Sequence, residues 1–472
     1  MNKNKTNKTE DKKVVIRRVE QLLELIILAM MFLFFWRKFY SIDFFFDQQY
    51  LGRGKYVLIG LYMVIMGMSM RLDEGFRFGY RKLFDIVILQ WLAVGITNFL
   101  TYMQLSLMAD IMLPPNTMIN LTIVEMPVCL ILSSIYTFFY HQMYVPMNML
   151  MVYGSENSAS LKLKFDRRPG DKYHVEKLVS SDIGKDKILE MIPKYDAVII
   201  SDIKAKLRND ILKYCYANEI RTYLTPKISD IITGGSEEVS LFDTPLRLVK
   251  GTGLSILEKI VKRFFDVLLS LIAVVILSPF MLGVAIAIKI EDGGPIFYKQ
   301  LRVTINGKTF NILKFRSMIV DAEKNGMSIP ATEADPRITK VGKFIRACRM
   351  DELPQLFNII KGDMSIVGPR PERIEHVEKY KKAVPEFVCR EKVKGGLTGY
   401  AQVYGKYNTT ALDKLKLDLM YIEEYSFLLD VKIVLMTVRI LFQRESTEGF
   451  DMVITDEDIQ REIEISKQDE ND

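Results

Sequence analysis

The apolar positions of this chain change character along its length. Over the first third they come in long runs with few charges, at roughly 20–36, 55–70, 83–107 and 117–146, and further on they alternate with polar residues as in a water-soluble domain. A bilayer crossing takes about 20 apolar residues, with latitude for tilt. The four runs therefore predict four transmembrane helices, although the second is short and the fourth carries Glu125 and His141. A fifth run, FFDVLLSLIAVVILSPFMLGVAIAI at 264–288, is also long enough to cross. Two features argue for a re-entrant helix instead: Ser278-Pro279 interrupts its middle, and Lys259, Lys262, Arg263 and Lys289 flank both ends. Proline removes a helical hydrogen bond and kinks or breaks the helix.

Between these regions the pattern is that of a small α/β domain. NMLMVYG (148–154), YDAVIISD (195–202) and IRTYLTP (220–226) read as strands, and RNDILKYCYANE (208–219) as an amphipathic helix. This alternation predicts a small parallel sheet of doubly wound, Rossmann-like type. MVYGSENSAS has one glycine where a dinucleotide fingerprint needs three, so the domain is expected to bind no dinucleotide and to serve regulation or assembly. GTGLSI (251–256) reads as a linker. Near the other end, LLDVKIVLMTVRILF (428–442) has an apolar face that suits either the membrane interface or the core of a domain. The acidic segment from Glu445 is expected to be disordered at its end. The boundaries that follow are 1–147 for the transmembrane region, 148–250 for the Rossmann-like domain, 251–448 for a C-terminal α/β domain with the re-entrant helix, and 449–472 for an acidic tail.

Charge gives orientation. The N-terminal tail carries Lys3, Lys5, Lys8, Lys12, Lys13, Arg17 and Arg18, and the loop after the second run has Arg71, Arg77, Arg81 and Lys82, whereas MADIMLPPNTM after the third has no basic residue. Basic loops stay inside, which puts the N-terminus and everything after the fourth run in the cytoplasm. Arg37, Lys38, Arg53 and Lys55, after the first run, fit this scheme less well. A net charge of +6 suits anionic lipid or phosphate partners. Without aromatic–basic interleaving it does not describe a nucleic-acid binder. The 4 cysteines (Cys129, Cys215, Cys348, Cys389) and 3 histidines (His141, His174, His376) are too scattered for a metal cluster, a disulfide framework or a histidine-based triad. The chemistry is left to carboxylates, arginines and lysines.

Those residue types gather in the last two fifths of the chain. In CRMDELPQLFNIIKGDMSIVGPRPE (348–372), Leu353, Leu356, Phe357 and Ile360 share one helix face, Pro354 fits a first turn and Gly362 a stop. Asp351 and Glu352 then lie at the helix N-terminus, where negative charge is favoured. Taken alone, Asp351 reads as an N-cap. In NGKTFNILKFRSM (306–318) alternate strand positions bring Lys314 and Arg316 to one face, where they can converge on an anion. VKGGLTGYAQVYGKYN (393–408) is rich in glycine, which lets backbone N–H groups approach a phosphate. Together these parts suit phosphate chemistry. A carboxylate can attack phosphorus and form an acyl phosphate, while cations and Mg²⁺ stabilise the charge that develops.

Residues 258 to 448 resemble the bacterial sugar transferases, the monotopic polyprenyl-phosphate phosphoglycosyl transferases. The stretches that carry the resemblance are KRFFD…LSPF, GGPIFYKQLRV, KFRSM, DELPQLFNIIKGDMSIVGPRPE and GLTGYAQVYGKYN, in family order. The upstream regions are similar to those of large members that initiate exopolysaccharide, capsule or O-antigen synthesis. The resemblance implies transfer of a phosphosugar from a UDP-sugar to undecaprenyl phosphate with release of UMP, at the cytoplasmic face of the bacterial plasma membrane. It implies Asp351 as nucleophile and Glu352 as its partner in Mg²⁺ binding and proton handling. Lys314, Arg316, Arg370 and Arg302 are assigned to phosphate binding, Ser278 and Pro279 to the re-entrant break, and Lys262-Arg263 to a basic pair at the membrane interface. A homodimer is the assembly that large members suggest. Three positions depart from the family pattern: Arg349-Met350 stand where a Ser/Thr-Leu pair is common, and Gly395 where proline is frequent, which is expected to loosen the turn before GLTG.

Overall fold

The structure, a computed structural model, describes residues 3–40, 54–72, 83–143, 146–166, 173–241, 243–320, 335–405, 409–441 and 456–471. It divides into two compact units, residues 1–225 with the C-terminal segment from 452, and residues 226–451. Arg53, Arg77, Arg81 and Lys82, used above for orientation, lie outside the described residues.

In the first unit the apolar runs form α1 (Lys3–Phe35, continued by a π-helical turn Trp36–Tyr40), α2 (Gly54–Leu72), α3 (Leu83–Ala109) and α4 (Asn116–Met143). With Ile256–Asp292 of the second unit, five helices among the described residues are long and apolar enough to cross a membrane, which marks a membrane-associated protein. Polar groups in an apolar solvent must find partners within the protein, and Glu125 does. Its carboxylate accepts from Tyr62 Oη at 2.8 Å and from Asn98 Nδ2 at 2.7 Å, so one acid on α4 ties α2 and α3 together.

The same unit holds a four-stranded parallel sheet of order β2-β1-β3-β4, built from β1 (Met147–Tyr153), β2 (Tyr173–Ser180), β3 (Ala197–Ser201) and β4 (Arg221–Leu224). The helices α5 (Glu156–Asp166), α6 (Lys185–Met191) and α7 (Ala205–Ala217) connect them. β2 has no counterpart in the sequence reading, because YHVEKLVS is an edge strand whose polar positions interrupt any apolar run. Gly154 ends β1 for a packing reason: a Cβ there would lie 2.2 Å from the carbonyl oxygen of Asp202. The acidic end of the chain corrects the expectation of disorder. Asp456–Asn471 is a helix whose Ile459 and Ile463 are buried with Met149, Met151, Val175 and Leu178, and its Glu462 pairs with Lys162 of α5.

The second unit begins with α8 (Ile228–Gly234) and an exposed hairpin, β5 (Glu237–Leu241) with β6 (Thr244–Leu248). The fifth apolar run becomes α9 (Ile256–Asp292), which starts at a capping box made by Ser255 and Glu258. Pro279 lies inside it without ending it. A proline deprives the carbonyl four residues back of its donor, and here Ser278 Oγ bonds to that carbonyl, Val275 O, at 2.8 Å. One stripe of α9 (Asp266, Ser270, Met281, Val284, Ile288) is buried, while Leu271, Val275, Ile276, Phe280, Leu282 and Ile286 are exposed. Both ends of α9 are tied to the unit. Near its start, Asp266 accepts from Ser365 Oγ and Ile366 N at 2.7 and 2.9 Å. At its finish, Glu291 accepts from Lys340 N at 2.7 Å and Asp292 pairs with Arg316.

The rest is a compact α/β body. Strands β7 (Phe297–Val303) and β8 (Thr309–Phe315) pair antiparallel, followed by α10 (Lys340–Ala347), a 3₁₀ turn Met350–Glu352 and α11 (Gln355–Lys361). Two short parallel strands, β9 (Ser365–Val367) and β10 (Gly396–Thr398), flank α12 (Ile374–Ala383), and α13 (Tyr400–Tyr404), α14 (Ala411–Glu423) and α15 (Phe427–Leu441) complete it. Ile433 and Met436 of α15 are buried with Val367, Leu415 and Leu419, so its apolar face belongs to the core. The buried residues of α11 are Gln355, Leu356, Asn358 and Ile359, not the stripe that periodicity predicts, and Phe357 is exposed. Asn358 explains the difference. Its side chain accepts from Leu313 N and donates to Asn311 O, both at 2.9 Å, and so holds α11 to the backbone of β8.

Candidate active site

Asp351 and Glu352 do not cap α11. They occupy the separate 3₁₀ turn, neither makes a capping bond, and Pro354 stands at the N-cap of α11. The turn is entered through Arg349, which has a positive φ of 55°. That conformation costs a residue with a Cβ about 1 kcal/mol and reverses the chain between α10 and the acidic pair.

The two carboxylates are treated differently by their surroundings. Glu352 is only 14% exposed, and its Oε1 receives both Lys314 Nζ at 2.7 Å and Arg370 Nη2 at 2.8 Å. Burial opposes its ionisation, but the Arg370 guanidinium and the Lys314 ammonium outweigh that and hold its carboxyl well below the usual range. Burial also pulls Lys314 below its ordinary value, although Glu352 works against the shift. Asp351 makes no hydrogen bond or ion pair among the described residues. Burial raises its pKa, with Lys314 acting in the opposite direction. Glu352 is thus clamped at one oxygen, while Asp351 keeps its carboxylate free for a reaction partner.

Of the four cations assigned to phosphate, the structure brings Lys314 and Arg370 to the dyad. Arg316 does not converge with Lys314: it is buried, it pairs with Asp292, and Gly294 makes room for it, since a Cβ there would lie 1.9 Å from Arg316 Nη1. Arg302 likewise has partners within the fold. It donates to Pro371 O at 3.1 Å and Gln300 Oε1 at 2.7 Å, and burial pulls it down to about 10. The pair assigned to the membrane interface also has internal partners. Lys262 Nζ lies 2.6 Å from Asp430 Oδ2, and Arg263 donates to the carbonyls of Ile359 and Ile360 at 2.6 and 2.7 Å, capping the C-terminus of α11. Ser278 and Pro279 lie in the continuous helix α9 described above. Arg346, which sequence reasoning did not single out, and Arg349, noted there only as a departure from the family pattern, both draw the Asp351 carboxyl downward.

The glycine-rich stretch serves backbone packing. A Cβ on Gly396 would lie 2.1 Å from Gly368 N, one on Gly399 2.1 Å from Gly368 O, and one on Gly395 2.5 Å from the Pro371 ring. These glycines seat the VGPRP loop that carries Arg370. Gly395 therefore fits the turn closely rather than loosening it.

Mg²⁺ takes oxygen ligands, uses one or two carboxylates and keeps several waters. The Asp351 carboxylate and Glu352 Oε2, which has no bond among the described residues, form a donor set of that kind. No group of three or more His, Cys, Asp or Glu side chains among the described residues is placed to hold a metal.

Residues 257–444 match the family described as bacterial sugar transferase. A UDP-glucose:undecaprenyl-phosphate glucose-1-phosphate transferase of Caulobacter vibrioides is 39% identical over 183 residues, which span 38% of this chain and 68% of that protein. This chain belongs to the bacterial sugar transferase family. An enzyme of the same description from Klebsiella pneumoniae is 36% identical over 260 residues, 54% of each chain. A UDP-N-acetylgalactosamine-undecaprenyl-phosphate N-acetylgalactosaminephosphotransferase of Aeromonas hydrophila is 38% identical over 257 residues, 52% of this chain and 59% of the relative. The chain thus spans about half the length of these last two relatives in the matched region. The family match holds the dyad, Lys314, Arg370 and the whole of the VGPRP loop.

Proposed function

We propose that this sugar transferase moves a sugar phosphate from a UDP-sugar to undecaprenyl phosphate through a covalent phospho-aspartyl intermediate on Asp351, as the initiating step of an exopolysaccharide, capsule or O-antigen. The observation that carries the reading is the unequal pair: a clamped Glu352 beside an Asp351 whose carboxylate has no partner. In the first step an Asp351 oxygen attacks the sugar-bearing phosphorus of the donor. The P–O bond to the nucleoside monophosphate breaks, and UMP leaves with that electron pair. In the second, a phosphate oxygen of undecaprenyl phosphate attacks the same phosphorus, and the Asp351 carboxylate is regenerated. Lys314 and Arg370 hold Glu352 ionised and add positive potential where phosphoryl charge develops. Mg²⁺, when bound by Asp351 and Glu352, would neutralise phosphate charge and orient the donor.

The reading places this chemistry at the cytoplasmic face of the plasma membrane, with α1–α4 spanning it and α9 entering and leaving by that face, bent at Ser278-Pro279. Support comes from Pro279 inside α9, where proline kinks a helix, and from Asp266 and Asp292, which both bond within the same unit. The apolar stripe on its outer side is the surface a lipid tail would cover. A homodimer is carried forward as the assembly of the working enzyme.

The test is UMP release by the membrane-embedded protein with undecaprenyl phosphate, Mg²⁺ and a panel of UDP-sugars. The expected result is UMP from at least one sugar, dependent on the lipid phosphate. Release of UDP instead would mean ordinary glycosyl transfer and would refute the reading.

A further inference from the structure

The segment that aims Arg370 at Glu352 is held at four consecutive carbonyls. Pro369 O accepts from Gly396 N at 3.0 Å, Arg370 O from Arg390 Nη2 at 2.9 Å, Pro371 O from Arg302 Nη1 at 3.1 Å, and Glu372 O from Val303 N at 3.0 Å. The two prolines fix φ on either side of Arg370. Of these four holds, two come from backbone amides and one from a cation at the edge of β7. The fourth is different: it comes from a buried ion pair.

Arg390 is 5% exposed and its partner Asp418 1%. Arg390 Nε donates to Asp418 Oδ2 at 2.8 Å, Nη2 lies 2.8 Å from the same oxygen and donates to Arg370 O at 2.9 Å, and the guanidinium stands 4.9 Å over the Phe387 ring. Taking two charges out of water costs several kcal/mol per ion, and a hydrophobic pair of similar volume is often as stable or more so. Stability therefore gives no reason for this pair. Neither residue touches the dyad, yet the pair ends on the carbonyl of the residue that does.

We propose that Arg390 and Asp418 are positioning residues for the transfer reaction: Asp418 on α14 orients Arg390, and Arg390 fixes the backbone of Arg370 so that its guanidinium meets Glu352. A displacement of about 1 Å in such a group can cost on the order of 100-fold in rate. This inference rests on the reading of Asp351 and Glu352 given above.

Two variants test it. Arg390→Met combined with Asp418→Leu removes both buried charges together and is expected to fold with an unchanged or raised Tm. Its kcat for UMP release is expected to fall about 10-fold or more, with KM for the UDP-sugar nearly unchanged. In an Arg370→Ala background the same pair of substitutions should cause no further loss, because the residue they position is gone. Hydrogen exchange gives a readout without turnover: peptides covering 364–374 should exchange faster in the double variant than in wild type. Arg390→Lys, which keeps a charge opposite Asp418 but cannot make both bonds, carries the same comparisons if the double variant does not fold. Full activity and unchanged exchange in a folded variant would overturn the proposal, as would equal losses in the wild-type and Arg370→Ala backgrounds. A wild type that releases no UMP would refute the functional reading, and the exchange comparison would still decide the positioning claim.

Discussion

Two loops of this molecule are built alike and do different things. One follows β1 and β3 of the parallel sheet, and the other enters the 3₁₀ turn before α11. Each has an aspartate at or within two residues of a left-handed position: Asp202 itself has a φ of 52°, and Asp351 lies two residues after Arg349 at 55°. In the first loop Asp202 accepts from Ser155 Oγ at 2.9 Å, its own N–H bonds to Thr225 Oγ1 at 3.3 Å, and Gly154 packs on its carbonyl. In the second loop Asp351 has none of these partners. An acid whose bonds are made within the fold holds a turn together, whereas a partly buried acid without partners adds nothing to the fold and is available to a substrate.

Asp351→Asn should break the comparison most sharply. UMP release should drop by about 1000-fold or more, while Asp202→Asn should leave turnover intact. The stability of Asp351→Asn should move the other way. Burial raises the Asp351 pKa in the folded state, so the folded chain binds that proton more tightly than the unfolded chain. Ionising Asp351 as pH rises past the ordinary carboxylate range therefore lowers stability, and a neutral amide should match or raise the Tm at neutral pH. Thermal melts of both variants in nanodiscs check the sign.

Glu352→Gln is next in size. It strands Lys314 and Arg370 without their anion and should destabilise the second unit by about 3 kcal/mol, read from denaturant unfolding. The pH profile distinguishes the two acids again. The folded pKa of Glu352 is depressed, so its contribution is present above its unfolded pKa and is lost progressively as pH falls from there through the folded value. Asp351 must be ionised to attack, so kcat/KM should fall as pH drops through its raised pKa. A profile with no acidic limb would contradict the role given to Asp351.

A smaller effect is expected at Gly396, where alanine would drive a Cβ to 2.1 Å from Gly368 N and shift the VGPRP loop. About 2 kcal/mol of stability and part of the activity should be lost together. The smallest concerns Arg349. Arg349→Gly relieves the left-handed strain but also loosens the unfolded chain, so stability should change by less than about 1 kcal/mol.

Much of this was legible in the residues. Long apolar runs and a motif as dense as DELPQ…GDMS…VGPRP mark the helices and the dyad. What was not legible depends on partners far away in sequence. Asn358 is polar on a helix that periodicity reads as apolar, because it bonds to the backbone of β8. Arg316 and Arg302 already have partners in the fold, Asp292 and Pro371, that their spacing does not reveal. Lys262 and Arg263 look like headgroup contacts until Asp430 and the end of α11 are seen to hold them. The acidic C-terminal segment forms a helix because Ile459 and Ile463 find the sheet of the first unit. A cation in a sequence announces a charge, and only the fold reveals whether that charge already has a partner.

The most direct measurement is the mass of the protein itself. Membrane-embedded wild type is mixed with a UDP-sugar and Mg²⁺ in the absence of undecaprenyl phosphate, quenched in acid, and digested for mass spectrometry. A sugar-phosphate adduct on the peptide containing Asp351, discharged by added undecaprenyl phosphate and absent from Asp351→Asn, is the predicted result. Transfer to undecaprenyl phosphate at full rate with no adduct at Asp351, or with the adduct on another residue, would contradict it.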